Sequence, residues 1–217
     1  MKLAHRGEWR VAPENTLGAI RAALVMPGVD GVEFDVRSSA DGEPVLLHDA
    51  TLERVQGSPA RAAQLTADEL AAHGVPSLRE ALAEAGAEAF LNVELKEWVP
   101  AFVEVLESAR GTRAELDRTV VTSFDDDIHR QVRQVRPTWR RWLNAVHLDR
   151  EAIDRARELG CEAVSAQWRS IDSRSVAQAV AADVRVAAWT VRRRPTYRRL
   201  EGLCVVAICA EAAALDA

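Results

Sequence analysis

Lysine is almost missing from this 217-residue chain: only Lys2 and Lys96 occur, and arginine supplies the other basic charges. Cysteine is also scarce. Cys161, Cys204 and Cys209 are odd in number, lie in apolar stretches and show no metal-ligand spacing. They exclude a disulfide framework and point to reduced core thiols in a cytoplasmic protein. A basic excess is lacking too: 28 cationic against 33 anionic side chains leave a net charge of −5. That argues against nucleic acid as a general partner, because few counterions would be displaced. A small anionic substrate held by a few placed cations stays open. No apolar run is long enough to span a bilayer, and the opening Met1-Lys2-Leu3-Ala4-His5 carries no apolar signal region. No stable membrane insertion is expected. With no linker or low-complexity break and 48% hydrophobic residues, 1–217 is expected to be a single domain with a substantial core.

What is present is a strand–helix rhythm. Strands are expected at 2–6, 32–36, 90–96, 119–124, 141–145, 163–167, 184–191 and 205–208. Helices are expected at 16–26, 77–82, 100–110, 125–136, 151–159, 172–182, 196–200 and 211–215. Ser77 with Glu80 and Thr66 with Glu69 read as capping boxes. The candidate strand 44–47 follows Val36 too closely for a parallel crossover, and Asp41-Gly42 is a hairpin-type turn. Residues 37–49 therefore read as a hairpin-like excursion, which 50–75 completes. Eight strands in alternation predict an α/β fold, a (β/α)8 TIM-type barrel with a reduced insertion after the second strand.

On strand 32–36, Val32, Phe34 and Val36 face one way and Glu33 and Asp35 the other. In a parallel barrel the apolar face meets the helices, so the carboxylates point into the barrel mouth. Glu94 and Lys96 repeat the pattern opposite Leu91, Val93 and Leu95. Three converging carboxylates repel one another unless a cation sits between them, and oxygen ligands favour Mg²⁺ or Ca²⁺ over zinc. Set against Arg6 and Lys96 they leave one net negative charge, which repels a singly charged phosphodiester. A divalent metal brings site and substrate to neutrality. The simpler reading is a metal-free salt-bridge network, Glu94 with Lys96 and Arg6 with Glu33. His5 and His48 suit general acid–base work near neutrality; His5 as base and His48 as acid is the first assignment, which the sequence does not separate from its reverse. Asp49 either orients His48 or caps its turn, the turn being favoured. Arg6 suits a phosphate oxygen as a bidentate donor. His73, His129 and His147 lie in polar loop or helix contexts. Trp189 either lines the mouth or is a core tryptophan. Arg192, Arg193, Arg194, Arg198 and Arg199 read as a solvated face, or as a contact for an anionic head group.

Taken together, His5-Arg6-Gly7, Pro13-Glu14-Asn15-Thr16, Glu33-Phe34-Asp35, Asp41-Gly42, His48-Asp49 with Leu52 and Arg54, and Glu94-Leu95-Lys96 resemble the glycerophosphodiester phosphodiesterase family. Ser123-Phe124 and Trp189-Thr190-Val191 are weaker echoes. The resemblance implies a TIM-type barrel that hydrolyses glycerophosphodiesters to glycerol 3-phosphate and an alcohol. It implies His5 and His48 as the acid–base pair, Glu33, Asp35 and Glu94 as holders of a divalent metal, Mg²⁺ or Ca²⁺, and Arg6 and Lys96 as phosphate contacts. Asn15 and Trp189 are candidate lining residues. The partner it implies is a small-molecule phosphodiester. The chain departs from the pattern where Arg192 replaces the usual asparagine and Ile208-Cys209-Ala210 replaces a strand ending in Thr-Asp. Two other readings fit the same barrel: a sphingomyelinase D-like or phospholipase-like enzyme giving cyclic products, and an inactive barrel that binds a phosphorylated ligand.

Overall fold

The computed structural model describes all 217 residues. Its strands are β1 (Lys2–His5), β2 (Gly31–Ser38), β3 (Pro44–Leu46), β4 (Phe90–Leu95), β5 (Thr119–Ser123), β6 (Arg140–Ala145), β7 (Ala163–Gln167), β8 (Arg185–Val191) and β9 (Ala207–Ala210). Its α-helices are α1 (Leu17–Leu24), α2 (Glu53–Gln56), α3 (Ala67–Ala72), α4 (Leu78–Ala85), α5 (Phe102–Ala109), α6 (Arg113–Asp117), α7 (Asp126–Val135), α8 (Arg150–Leu159), α9 (Ser173–Ala181) and α10 (Arg194–Glu201). Every strand except β3 joins one parallel sheet, and β1 pairs with both β2 and β9. The sheet closes on itself as the eight-stranded barrel of the TIM fold.

Two periodicities build this wall. Along β2 and β4, Val32, Phe34, Val36, Leu91, Val93 and Leu95 turn outward into the main core of 45 residues, beneath the helices. The alternate residues turn into the barrel. Its floor is a smaller cluster that includes Leu3, Phe90, Val120, Trp142 and Cys209. Above the floor the lining becomes polar: Asn92, Thr122, Asn144 and Ser165 are all buried there. The Thr122 hydroxyl donates to Asn92 Oδ1 at 2.8 Å.

β3 runs antiparallel to the end of β2, with Val36 opposite Leu46 and Ser38 opposite Pro44. The excursion has its own core of Val45, Leu47, Leu52, Ala62, Leu70 and Val75. That core fixes the segment leading to His48. Leu47 N donates to the Asp35 carbonyl at 3.1 Å, and Arg37 Nε to the His48 carbonyl at 2.9 Å. Capping boxes form at Thr66/Glu69 and Ser77/Glu80, as their spacing predicts. A third, Thr112/Glu115, opens α6, a helix that the strand–helix rhythm did not predict. Within the excursion α2 is likewise additional.

The last strand differs from expectation. It occupies Ala207–Ala210 rather than 205–208, because closure fixes its register: Lys2 lies beside Ile208 and Ala4 beside Ala210. The expected helix 211–215 is a single 3-10 turn, Ala212–Ala214, and Glu211 stands before it at the strand end.

Candidate active site

The site stands at the carboxyl ends of β1, β2 and β4, and sheet register assembles it. His5 pairs with Glu33 across β1 and β2, and Asp35 pairs with Glu94 across β2 and β4. After β1 the backbone turns sharply. Arg6 and Gly7 adopt φ of +58° and +82°, and Arg6 N donates to the Glu33 carbonyl at 2.7 Å. Gly7 is required twice over, since a Cβ there would sit 2.6 Å from the Ala19 carbonyl carbon. Holding Arg6 in a left-handed conformation costs energy that its contacts offset. Its Nε lies 3.0 Å from Asp35 Oδ2, and its Nη1 donates to Glu14 Oε1 at 2.8 Å. The ion pair from Arg6 therefore runs to Asp35 and Glu14; Glu33 receives only the Arg6 backbone N–H, at 3.1 Å.

Glu33 and Asp35 are buried and Glu94 nearly so, and one oxygen from each lies within 4.8 Å of the other two. Burial and the charge of Asp35 push the Glu33 carboxyl up to about 7. Burial together with Asp35 also raises Glu94. Burial would raise Asp35 as well, but Lys96 and Arg6 outweigh it and hold that carboxyl far below the usual range. Lys96 Nζ lies 2.8 Å from Asp35 Oδ1 and also pairs with Glu94. The donor set fits a hard divalent cation: three carboxylates, no thiol, and one carboxyl, Glu33, whose charged form burial disfavours unless a positive charge stands beside it.

Each histidine has a carboxylate behind it. His5 Nδ1 lies 3.1 Å from Glu211 Oε2, leaving Nε2 3.8 Å from Glu33 and 3.4 Å from the Thr190 hydroxyl. His48 Nδ1 lies 2.7 Å from Asp49 Oδ1. Asp49 is thus an orienting partner rather than only a turn cap. The pKa values of the two rings are shifted in opposite directions. Burial lowers His5, but Glu33 and Glu211 outweigh it and the net shift is upward. Burial lowers His48; Asp35 opposes that, but Lys96 and Arg6 add to it. In turn Glu211, though raised by burial, is brought down to about 2 by His5 and Arg192.

Of the remaining expected residues, Asn15 is buried with φ +56° and clamps Asp35: Nδ2 donates to Oδ2 at 2.9 Å, and Oδ1 accepts from Asp35 N at 3.2 Å. Trp189 lines the small polar cavity with His5, Glu33 and Glu94, and its Nε1 donates to the Ser165 carbonyl at 2.8 Å. All nine residues expected at the site are therefore together. Sequence reasoning missed the supports behind them. Arg54 Nε donates to Asp49 Oδ2 at 2.6 Å, and its Nη1 and Nη2 to Glu14 at 2.9 and 2.6 Å. An unbroken ionic chain runs from His48 through Asp49, Arg54, Glu14, Arg6 and Asp35 to Lys96. Glu14 and Arg54 were visible as motif members without a role. Glu211 was hidden by the misplaced final strand, although a carboxylate directly after a barrel strand was a usable signal.

Other expectations change. His129 is fully buried on α7, not in a polar context, and its Nε2 lies 3.0 Å from the Ser123 carbonyl. Cys204 is exposed, while Cys161 and Cys209 are buried. No helix is long and apolar enough to cross a membrane. A depression of about 520 Å³ lies far from this chemistry, between α8 and α9.

Comparison with known proteins agrees with the geometry. The Glycerophosphoryl diester phosphodiesterase family matches residues 5–214. A glycerophosphodiester phosphodiesterase of Caldanaerobacter subterraneus is 30% identical over 152 residues, 62% of each chain. Human glycerophosphodiester phosphodiesterase 1 is 41% identical over 97 residues, 38% of this chain and 29% of its own. These matches span less than two thirds of the relatives' lengths. An Oleispira antarctica phosphodiesterase, solved with the product sn-glycerol-3-phosphate, superposes with a TM-score of 0.81 at 24% identity, covering 97% of this chain and 92% of its own. A glycerophosphodiester phosphodiesterase of Agrobacterium tumefaciens does so with a TM-score of 0.84 at 24% identity, covering 99% and 97%.

Proposed function

This chain belongs to the glycerophosphoryl diester phosphodiesterase family, and from that membership we propose that it hydrolyses glycerophosphodiesters to glycerol 3-phosphate and an alcohol. The observation that carries the proposal is the carboxylate triad of Glu33, Asp35 and Glu94, with His5 beside it and the anchored His48 brought in over the end of β2. In this reading the three carboxylates hold a divalent cation, Mg²⁺ or Ca²⁺. Bound there, it would act as a Lewis acid on the phosphate oxygens. Arg6 and Lys96 place positive charge at the same mouth, and the left-handed turn at Arg6 aims its guanidinium across it. Asn15 keeps Asp35 oriented.

On the direction of these shifts we assign the two histidines in the opposite order. His48, whose neutral form burial, Lys96 and Arg6 favour, would take the proton from the nucleophile. His5, whose protonated form Glu211 favours, would give one to the leaving alkoxide. Glu211 is not among the proposed ligands, so its pull on His5 persists when the triad's charge is neutralised. Both rings use a carboxylate at Nδ1, which leaves Nε2 as the atom that would exchange the proton.

The test is release of glycerol 3-phosphate from a panel of glycerophosphodiesters with Mg²⁺, with Ca²⁺ and with chelator, using His48→Ala as control. Metal-dependent release lost in the variant is expected. A transient cyclic phosphate in ³¹P spectra would replace water by the substrate's own hydroxyl as nucleophile. Metal binding without turnover of any diester would overturn the hydrolytic reading.

A further inference from the structure

Beside the carboxylates, a cavity of about 410 Å³ opens at the ends of β7 and β8, lined by Trp168, Arg169, Thr190, Arg192, Arg193 and Thr196. It begins where the proposed chemistry stops. Thr190 lines it and has its hydroxyl 3.4 Å from His5 Nε2. Arg192, on the same wall, pairs with Glu211, the carboxylate behind His5. A diester whose phosphate sat beside His5 would have one arm reaching into this space.

The lining says what that arm carries. It contains three arginines and no carboxylate, in a chain of net charge −5. The Arg192 charge is matched by Glu211, but Arg169 and Arg193 make no ion pair. Arg193 is also the N-cap of α10, a helix with no side-chain cap and no acidic residue in its first turn, and Thr196 of that turn lines the cavity. The positive end of the helix dipole thus adds to the two free guanidinium groups. A quaternary ammonium arm needs a carboxylate or an open aromatic face. Here the single aromatic side chain, Trp168, has a face covered by Arg169, whose guanidinium carbon lies 4.5 Å from the ring centroid.

We infer that this cavity is a subsite for an anionic group, a phosphate or a carboxylate, on one arm of the substrate. The enzyme would then select glycerophosphodiesters with anionic alcohols over those with choline. The inference rests on the hydrolytic reading for its consequence, but the binding site stands on the cavity itself.

The experiment compares kcat/KM for four diesters: glycerophosphocholine, glycerophosphoglycerol, glycerophosphoglycerate and glycerophosphoglycerol phosphate. The last two separate a carboxylate from a phosphate. The anionic pair is expected to exceed the choline ester by about tenfold or more at low salt, with the advantage shrinking as salt screens it. The double variant Arg169→Gln/Arg193→Gln should bring the ratio close to one; both residues are exposed, so folding is not at stake. A choline ester turned over as well as the anionic ones, or a ratio unchanged in the variant, would overturn the inference. If no diester is hydrolysed, the hydrolytic reading fails and calorimetry still decides the subsite. Glycerophosphoglycerol phosphate should bind the wild-type chain about tenfold more tightly than the variant; equal affinity, or no binding to either, would overturn the proposal.

Discussion

Consider the metal-free protein taken from pH 5 to pH 8. The Glu33 carboxyl lies 3% exposed beside Asp35 and Glu94, and its pKa is pushed from 4.5 up to about 7. In the unfolded chain it returns to its ordinary value. Because folding raises this pKa, the folded state holds the proton more tightly than the unfolded one. The resulting stabilisation is full below pH 4.5 and is lost as pH rises through about 7. At about 1.4 kcal/mol per pH unit, ionising Glu33 inside the fold costs about 3 kcal/mol. For a chain of this size that is about 10 °C in melting temperature. His5, also raised, adds a loss of the same sign, while His48 and His129, both lowered, act oppositely. The measurement is therefore a difference: thermal melting in chelator at pH 5 to 8, wild type against Glu33→Gln. The wild type should lose about 2.5 kcal/mol more than the variant across that range, the rest of the term being lost already by pH 5. Millimolar Mg²⁺ or Ca²⁺ should abolish the excess loss, since a dication replaces the proton. Apparent metal affinity should then rise about tenfold per pH unit below 7. A chelated wild type whose stability stays level or rises relative to the variant would refute the reasoning.

Three further outcomes follow from the geometry. Asp49→Asn removes the anchor of His48 Nδ1 and should lower kcat about 10²-fold with little change in KM, measured on any hydrolysed diester; an unchanged kcat would return Asp49 to a turn cap. If His5 is the proton donor, its Ala variant should regain most of its activity on a diester with a nitrophenol leaving group. The His48→Ala variant should not recover, and the opposite pattern would restore the first assignment. Gly7→Ala forces a Cβ against the Ala19 backbone at positive φ and should cost about 3 kcal/mol or more in chemical denaturation.

The site was more legible than its supports. Glu33, Asp35, Glu94 and Lys96 could be placed because strand residues alternate, so an outward row of Val32, Phe34 and Val36 forces the carboxylates inward. His5 and His48 were legible as residue types whose chemistry suits the reaction. Glu211 was not. Its position depends on β9 closing against β1, a pairing between residues more than 200 apart that local pattern does not encode. The same holds for Glu14 and Arg54, whose hydrogen bonds require the excursion to fold back over α1's approach.

By itself the sequence determined the eight-fold alternation, the hairpin after β2, two of the capping boxes, the inward carboxylates and the family. The family follows from the resemblance of its ordered motifs; the others follow from local sterics, period and spacing, which act within a few residues of each position. Only the tertiary structure decided which cation meets which carboxylate, that Asp49 and Glu211 stand behind the histidines, and that Arg169 and Arg193 share a cavity free of carboxylates. Those relations are set by barrel closure and strand register, which bring together side chains from opposite ends of the chain, and charge interactions act across space rather than along sequence.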